Sequence, residues 1–233
     1  MSSEMLPINT PMSKPSASKV WLAAIRPATL TAAVGPVAVG TGLAAADHQF
    51  SAAPALAALV GAMLIQVATN LHNDYEDFVR GADTDDRLGA PRATQRGWLN
   101  ARQIITAAIA AAILAVLVGI YLVWVAGWPI VAIGLGSLLC GFAYTGGPAP
   151  LGYLGLGDLF VFIFFGVVAV TGSYYVQALT VTSSVLIAST GVGALATAIL
   201  VVNNLRDRHT DKGAGKRTLA VRLGQRFGRA ISL

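Results

Sequence analysis

The chain has 233 residues, 55% of them apolar and 12% charged, with a mean hydropathy of +0.65 and a formal net charge of +5. That balance lies far from the soluble average and excludes a soluble helical bundle, which buries some apolar helices but not this many of this length. One cysteine, Cys140, set in an apolar run, supplies neither a disulfide framework nor a cysteine metal site.

Residues 1–18 are rich in Ser, Pro and polar side chains and read as a disordered leader without the apolar core of a cleavable signal. Residues 19–233 read as one transmembrane domain. About 20 apolar residues cross the hydrocarbon core, and six stretches come near or beyond that length: 21–46, 52–73, 104–126, 129–144, 158–179 and 184–205, the fourth being the shortest. Gly and Ala are abundant in them, as suits helices packed backbone to backbone. The expected fold is an all-α polytopic transmembrane helical bundle of about six helices.

All sixteen basic residues fall in three places. Lys14, Lys19 and Arg26 precede or open the first stretch; Arg80, Arg87, Arg92, Arg96 and Arg102 follow the second; eight more, from Arg206 to Arg229, follow the sixth. The intervening connections hold none. By the positive-inside rule the N-terminus and both charged loops face the cytoplasm, in a plasma (inner) membrane. Acids are mixed among the bases, which argues against nucleic acid as the partner; a phosphate group or anionic lipid fits better. No pattern in the chain specifies an oligomer.

Two acidic clusters stand at polar ends of apolar stretches. Asn70-Leu71-His72-Asn73-Asp74-Tyr75-Glu76-Asp77 runs on to Asp83, Asp85 and Asp86, and the second is Asn203-Asn204-Leu205-Arg206-Asp207-Arg208-His209-Thr210-Asp211. Between them lies one acid, Asp158. Charge beside a membrane is costly, so paired clusters point to a site. Helical spacing puts Asn70, Asn73, Asp74 and Asp77 on one stripe, with Gln66 a turn deeper, and repeats the pattern in a ladder of Asn203, Asp207 and Asp211. Such oxygens suit Mg²⁺, which takes few protein carboxylates and completes its shell with water and phosphate oxygens. Two carboxylate jaws closing on a diphosphate are the expectation, with Arg80, Arg206, Lys212 and Lys216 pairing its remaining oxygens. Asp83-Thr84-Asp85-Asp86-Arg87 opens like an EF-hand loop, but Arg87 takes a ligand position and no closing Glu follows. A P-loop is absent, and a transporter would place its acids nearer the membrane centre.

Asn73-Asp74-Tyr75-Glu76-Asp77 followed by Asp83 resembles the first Asp-rich motif of the UbiA superfamily of intramembrane prenyltransferases, and Asp207-Arg208-His209-Thr210-Asp211 resembles the second. The general first motif reads N-D-x-x-D-x-x-x-D; here Gly81 stands where the last Asp falls and Asp83 comes two residues late. That departure is similar to the 1,4-dihydroxy-2-naphthoate polyprenyltransferase branch of menaquinone synthesis. So are Arg26-Pro27-Ala28-Thr29-Leu30, Tyr144-Thr145-Gly146-Gly147-Pro148 leading to Gly155-Leu156-Gly157-Asp158, and Gly215-Lys216-Arg217-Thr218-Leu219-Ala220-Val221-Arg222-Leu223-Gly224. Members of the family have nine transmembrane helices, so the resemblance implies a domain incomplete at its C-terminus.

The resemblance further implies Mg²⁺-dependent transfer of a polyprenyl group from polyprenyl diphosphate to 1,4-dihydroxy-2-naphthoate with loss of CO₂, giving demethylmenaquinone. The alternatives are another aromatic acid as acceptor (4-hydroxybenzoate or homogentisate) or an inactive lipid-binding fragment. Asn73, Asp77 and Asp83 are then expected at one Mg²⁺, with Asp74 at its edge, and Asp207 and Asp211 at the other. Asn70 and Asn203 would orient these ligands. Tyr144 matches a family tyrosine near the reacting carbon, and otherwise reads as an interfacial tyrosine. Arg26 is expected either to attract the acceptor carboxylate or to anchor the first helix. Asp158 favours a helix N-terminus, and His72 and His209 flank the motifs as supporting residues.

Overall fold

The computed structural model describes residues 15–82 and 92–224, so Asp83, Asp85, Asp86 and Arg87 lie outside the described residues. Those residues are helical with loops between, and five helices are long and apolar enough to cross a membrane. The protein is an integral membrane protein.

The first expected stretch is two helices, α1 (Ala17–Ile25) and α2 (Pro27–Ala46), broken at Arg26, whose φ of 58° lies in the left-handed region. Proline explains the break. It disfavours helical geometry in the residue before it, yet suits the first position of a new helix, where its missing N–H is not needed. The start at Ala17 also falls two residues inside the stretch expected to be leader.

Helix α3 (Ala52–Val79) has 28 residues, about 42 Å at 1.5 Å each, against about 30 Å of hydrocarbon. Its last turns therefore carry the first acidic cluster out of the apolar layer while still helical. Helix α4 (Ala101–Ala126) starts in a capping box in which the Asn100 side chain accepts from the Gln103 backbone and the Gln103 side chain from that of Asn100. Asn100→Ala is expected to cost about 1 kcal/mol, read as a small fall in the melting temperature in detergent. Helix α5 (Pro129–Ala143) has only 15 residues, too few to cross unaided.

Helix α6 (Gly157–Ala178) is one rod interrupted by a π-helical segment at Phe162–Val168. Helix α7 (Ser183–Arg206) ends at the second acidic cluster, and α8 (Arg208–Gly213) is a short continuation. Helix α3 packs along α4, the second half of α6 against α2, and the π segment against α7.

Small residues bring the backbones together. A Cβ on Gly166 would meet the Gly193 backbone nitrogen at 2.7 Å and the Ser189 carbonyl at 2.8 Å. Close approach of this kind replaces the hydrophobic drive that lipid cannot provide. At the end far from the acids, Leu122, Ala126, Ile130 and Val176 form one core cluster, and the Tyr174 hydroxyl donates to Asp47 at 2.6 Å. Trp124 and Trp128 stand almost fully exposed there, as aromatic residues do at a membrane–water boundary. At the acidic end, Val20, Ala24, Leu71, Leu99 and Ile104 fasten α1 and the 92–100 loop to α3 and α4.

Candidate active site

The last turns of α3 present four polar residues, each with its own partner. Asn70 donates to the Ile25 carbonyl at 2.9 Å and to Thr29 Oγ1 at 2.8 Å, and accepts from Gln66 at 3.1 Å. It thereby clamps the α1–α2 break that holds Arg26. Asn73 Oδ1 accepts from Thr145 Oγ1 at 2.7 Å. Asp74 is buried and accepts from Thr94 at 2.6 Å. It thereby docks the 92–100 loop onto α3.

Asp77 is the hub. Arg92 Nη2 lies 2.5 Å from Asp77 Oδ2, the Tyr153 hydroxyl donates to Oδ1 at 2.7 Å, and Lys216 Nζ stands 3.5 Å from Oδ2. Arg92 also donates to the Asn73 carbonyl at 2.9 Å, so the α3–α4 loop folds back across the helix end. The Arg80 guanidinium reaches Glu76 at 3.3 Å and the Gly147 carbonyl at 2.7 Å.

The second cluster bends where an unbroken ladder was expected. Asp207, at φ −90° and ψ 5°, closes α7, and α8 restarts at Arg208. The Asp211 amide still donates to the Asp207 carbonyl at 2.8 Å, which keeps the two carboxylates one turn apart. Arg206 binds the Asp207 carboxylate through two nitrogens at 2.8 and 2.7 Å. Asn203 and Lys212 are exposed.

Lys216 joins the two clusters. Its Nζ lies 3.5 Å from Asp77 and 3.9 Å from Asp211, so a single ammonium spans carboxylates that are 134 positions apart in the chain. Helices two and six of the sequence reading, α3 and α7 here, thus converge on one point.

Tyr144 lies beside it. A Cβ on Gly157 would meet the Tyr144 hydroxyl at 2.7 Å, so glycine is what lets that hydroxyl rest against the start of α6. Burial, then the carboxylates of Asp158, Asp211 and Asp77, push its phenol well above the ordinary value. Burial and Asp77 do the same to Tyr153, keeping both hydroxyls protonated donors. Asp158 is buried, with Oδ1 lacking a hydrogen-bond partner among the described residues.

Below these groups runs a cavity of about 570 Å³. Gln66, Asn70, Asn73 and Tyr144 line its polar end; Ile65, Leu138 and Phe164 are among the apolar residues of its walls. A pocket this apolar with a charged mouth suits an amphiphile with a hydrocarbon tail and an anionic head.

Among the described residues no three His, Cys, Asp or Glu side chains converge on one point. The donor set still fits a hard divalent ion, because the Asn73 amide oxygen and the Asp77, Asp207 and Asp211 carboxylates are oxygen ligands of the kind Mg²⁺ shares with phosphate. The crowding of Arg92 and Lys216 against Asp77 marks this as a place that demands positive charge.

The sequence proposes Asn73, Asp77, Asp211 and Tyr144 for one site, and the structure sets them near one another. Sequence reasoning gave no place to Tyr153, and it counted Arg92 only as loop charge. Their one local signal is position, in polar loops on the side that holds both acidic clusters.

Residues 33–233 match the model of the UbiA prenyltransferase family. The chain belongs to that family. The 1,4-dihydroxy-2-naphthoate octaprenyltransferase of Escherichia coli (strain K12) is 41% identical over 216 residues, covering 90% of this chain and 70% of that one. The protein of the same name from Mycobacterium tuberculosis is 43% identical over 204 residues, covering 88% and 70%. The 2-carboxy-1,4-naphthoquinone phytyltransferase of Synechocystis is 31% identical over 224 residues, covering 95% and 71%. A solved structure of a UbiA homolog from Archaeoglobus fulgidus, bound to GPP and Mg²⁺, superposes with a TM-score of 0.72 at 18% identity. It covers 91% of this chain and 72% of its own, which establishes the shared fold. This UbiA-family chain is accordingly a prenyltransferase.

Proposed function

We propose that this UbiA-family enzyme transfers a polyprenyl group from its diphosphate to 1,4-dihydroxy-2-naphthoate, with pyrophosphate as leaving group and the acceptor carboxylate lost as CO₂, to give demethylmenaquinol, the reduced form of demethylmenaquinone. The observation that carries the reading is the Lys216 ammonium spanning Asp77 and Asp211, whose carboxylates act on Tyr144, a residue that with Asn73 lines the polar end of an apolar cavity. It supports the reading because it gathers acids from two distant helices, as holding a phosphorylated head beside a greasy tail requires. The names of the naphthoate-prenylating relatives support the acceptor.

Asn73, Asp77 and the Asp207–Asp211 pair hold Mg²⁺, with Asp83 as a further expected ligand outside the described residues. When bound, the metal offsets negative charge growing on the departing diphosphate. Lys216, with Arg80 behind it, faces the same oxygens. Arg206, freed from Asp207, and Lys212 at the rim complete the basic surround. Tyr144 presents its ring beside the allylic carbon, where an aromatic face stabilises a developing cation. Arg26, fixed by the Asn70 clamp at the α1–α2 break, attracts the acceptor carboxylate. Holding two substrates in register supplies much of the rate in a reaction of this order. The basic loops support an orientation in the plasma membrane with this end of the bundle and the N-terminus on the cytoplasmic side.

Asp207→Ala tests the reading cleanly. Its partner Arg206 is 48% exposed, and solvent-screened pairs contribute little to stability. The variant is expected to melt like wild type while Mg²⁺-dependent release of pyrophosphate falls at least 100-fold, in line with the loss of a major electrostatic group. The assay offers 1,4-dihydroxy-2-naphthoate, 4-hydroxybenzoate and homogentisate separately. Normal turnover by Asp207→Ala rejects the two-jaw site, and preference for either other acid rejects the naphthoate assignment.

A further inference from the structure

Tyr153 touches both the acidic and the basic parts of this site. Its hydroxyl donates to Asp77 Oδ1 at 2.7 Å. Its ring centroid lies 5.1 Å from Lys216 Nζ and 5.9 Å from the Arg80 guanidinium carbon, within the range of cation–π attraction.

The backbone around it is equally fixed. The Tyr153 carbonyl accepts from the Arg217 amide at 2.8 Å, and the Leu154 carbonyl from the Arg222 guanidinium at 2.8 Å. Gly155, at φ 77°, lets the loop pass so close to the Arg217 carbonyl that a Cβ would overlap it. The 144–157 loop and the 215–222 segment are thus stitched together with Tyr153 at the seam.

Two physical demands meet at this seam. Arg92 and Lys216 both address Oδ2 of Asp77, while the Tyr153 hydroxyl holds Oδ1. Lysine on a flexible four-carbon stem loses much rotamer freedom when it is held in place, and an aromatic face beside it restricts where it points.

We propose that Tyr153 is a positioning residue for the transfer reaction: its hydroxyl sets the Asp77 carboxylate for the metal, and its ring holds Lys216 and Arg80 for the diphosphate. The inference rests on the prenyl diphosphate reading above and deepens it. The two halves of the role are chemically separable, since phenylalanine removes only the hydroxyl and leucine removes the ring as well.

The test uses binding, without turnover, on the whole purified chain in detergent. Calorimetric titration with Mn²⁺ alone reads the hydroxyl's role, and titration with inorganic pyrophosphate at saturating Mn²⁺ reads the ring's. Removing a group that orients a metal ligand weakens metal binding by about 10–100-fold. Tyr153→Phe is expected to weaken Mn²⁺ by about that factor while pyrophosphate affinity at saturating Mn²⁺ stays within about twofold of wild type. Tyr153→Leu is expected to weaken both, pyrophosphate by about tenfold, as loss of a cation's aromatic partner predicts.

Wild-type Mn²⁺ affinity in Tyr153→Phe overturns the hydroxyl role. Equal pyrophosphate affinity in Tyr153→Leu and Tyr153→Phe overturns the ring role. A melting temperature is taken for each variant, and Tyr153→Phe, which keeps the ring in its packing, decides the hydroxyl role even where the leucine variant unfolds. Wild-type protein that binds neither probe overturns the prenyl diphosphate reading itself, and this inference with it.

Discussion

Asp77→Ala is expected to abolish prenyl transfer and to lower stability by about 3–5 kcal/mol, the range for removing one partner of a buried ion pair. The reason lies in Arg92, whose side chain is only 5% accessible. Without Asp77 its charge stays buried beside the helix end, and the loop that carries it loses its strongest tie to α3. Lys216 and Tyr153 lose a partner at the same moment. The expected result is a lower melting temperature together with loss of Mg²⁺-dependent pyrophosphate release, whereas Asp207→Ala loses activity alone.

A second substitution separates the two effects. Asp77→Ala combined with Arg92→Met removes the uncompensated charge, and apolar replacement of a buried pair is often close to neutral. The double variant is therefore expected to regain most of the melting temperature and none of the turnover. A double variant as unstable as the single one would show that Arg92 is not the source of the strain. Retained turnover in either would remove Asp77 from the chemistry.

Gly166→Leu is expected to be as damaging by a different route. Where a new Cβ meets the tip of a flexible side chain, that chain can rotate away. Here it meets the backbone of Gly193 and Ser189, which has no such freedom, so α6 and α7 must separate. Overpacking costs about 1–3 kcal/mol and occasionally more, and a backbone collision belongs at the upper end. The damage also travels to the site. Asp158 and the start of α6 lie against α7, where Thr197 spans the Asp158 and Gly193 carbonyls at 3.4 and 2.8 Å. Gly191→Ala is the control on α7, since its added methyl meets nothing within 4 Å and alanine favours a helix. Melting temperature and retention in the membrane fraction are measured for both; a Gly166→Leu protein as stable as Gly191→Ala would mean that the helices are not in contact here.

Much of this architecture is written in local patterns. Long apolar runs mark spans wherever their ends are polar, and five of the six expected stretches contain helices of spanning length. The exception, α5, is bounded by Pro129 and the Tyr144 turn, and hydropathy alone does not tell a short inserted helix from a crossing one. The break at Arg26 was legible in principle, because proline constrains the residue before it, but apolar continuity on either side hides it. The π segment left no trace, since its residues Phe162–Val168 are as apolar as any helix interior.

The acids of the mouth were legible for the same local reason: carboxylates cost too much beside lipid to be placed at random. Their partners were not. Tyr153 meets Asp77 across 76 positions and Lys216 meets Asp77 across 139, and no spacing rule reaches that far. Asp74 is alike: helical periodicity sets it on the stripe with Asp77, while its bond from Thr94, 20 positions on, lies beyond any such rule.

The wide turns of α6 separate the orientation of its two ends. Each extra residue in a helix shifts angular phase by about 100°, and a π segment carries one more than a plain α-helix of the same rise. Gly157 and Asp158 can therefore face the reacting end while Val170 and Tyr174 face α2, with neither face dictated by the other. One membrane span behaves as two independently aimed tools on a common shaft, and chemistry at one end is free to diverge without remaking the scaffold at the other.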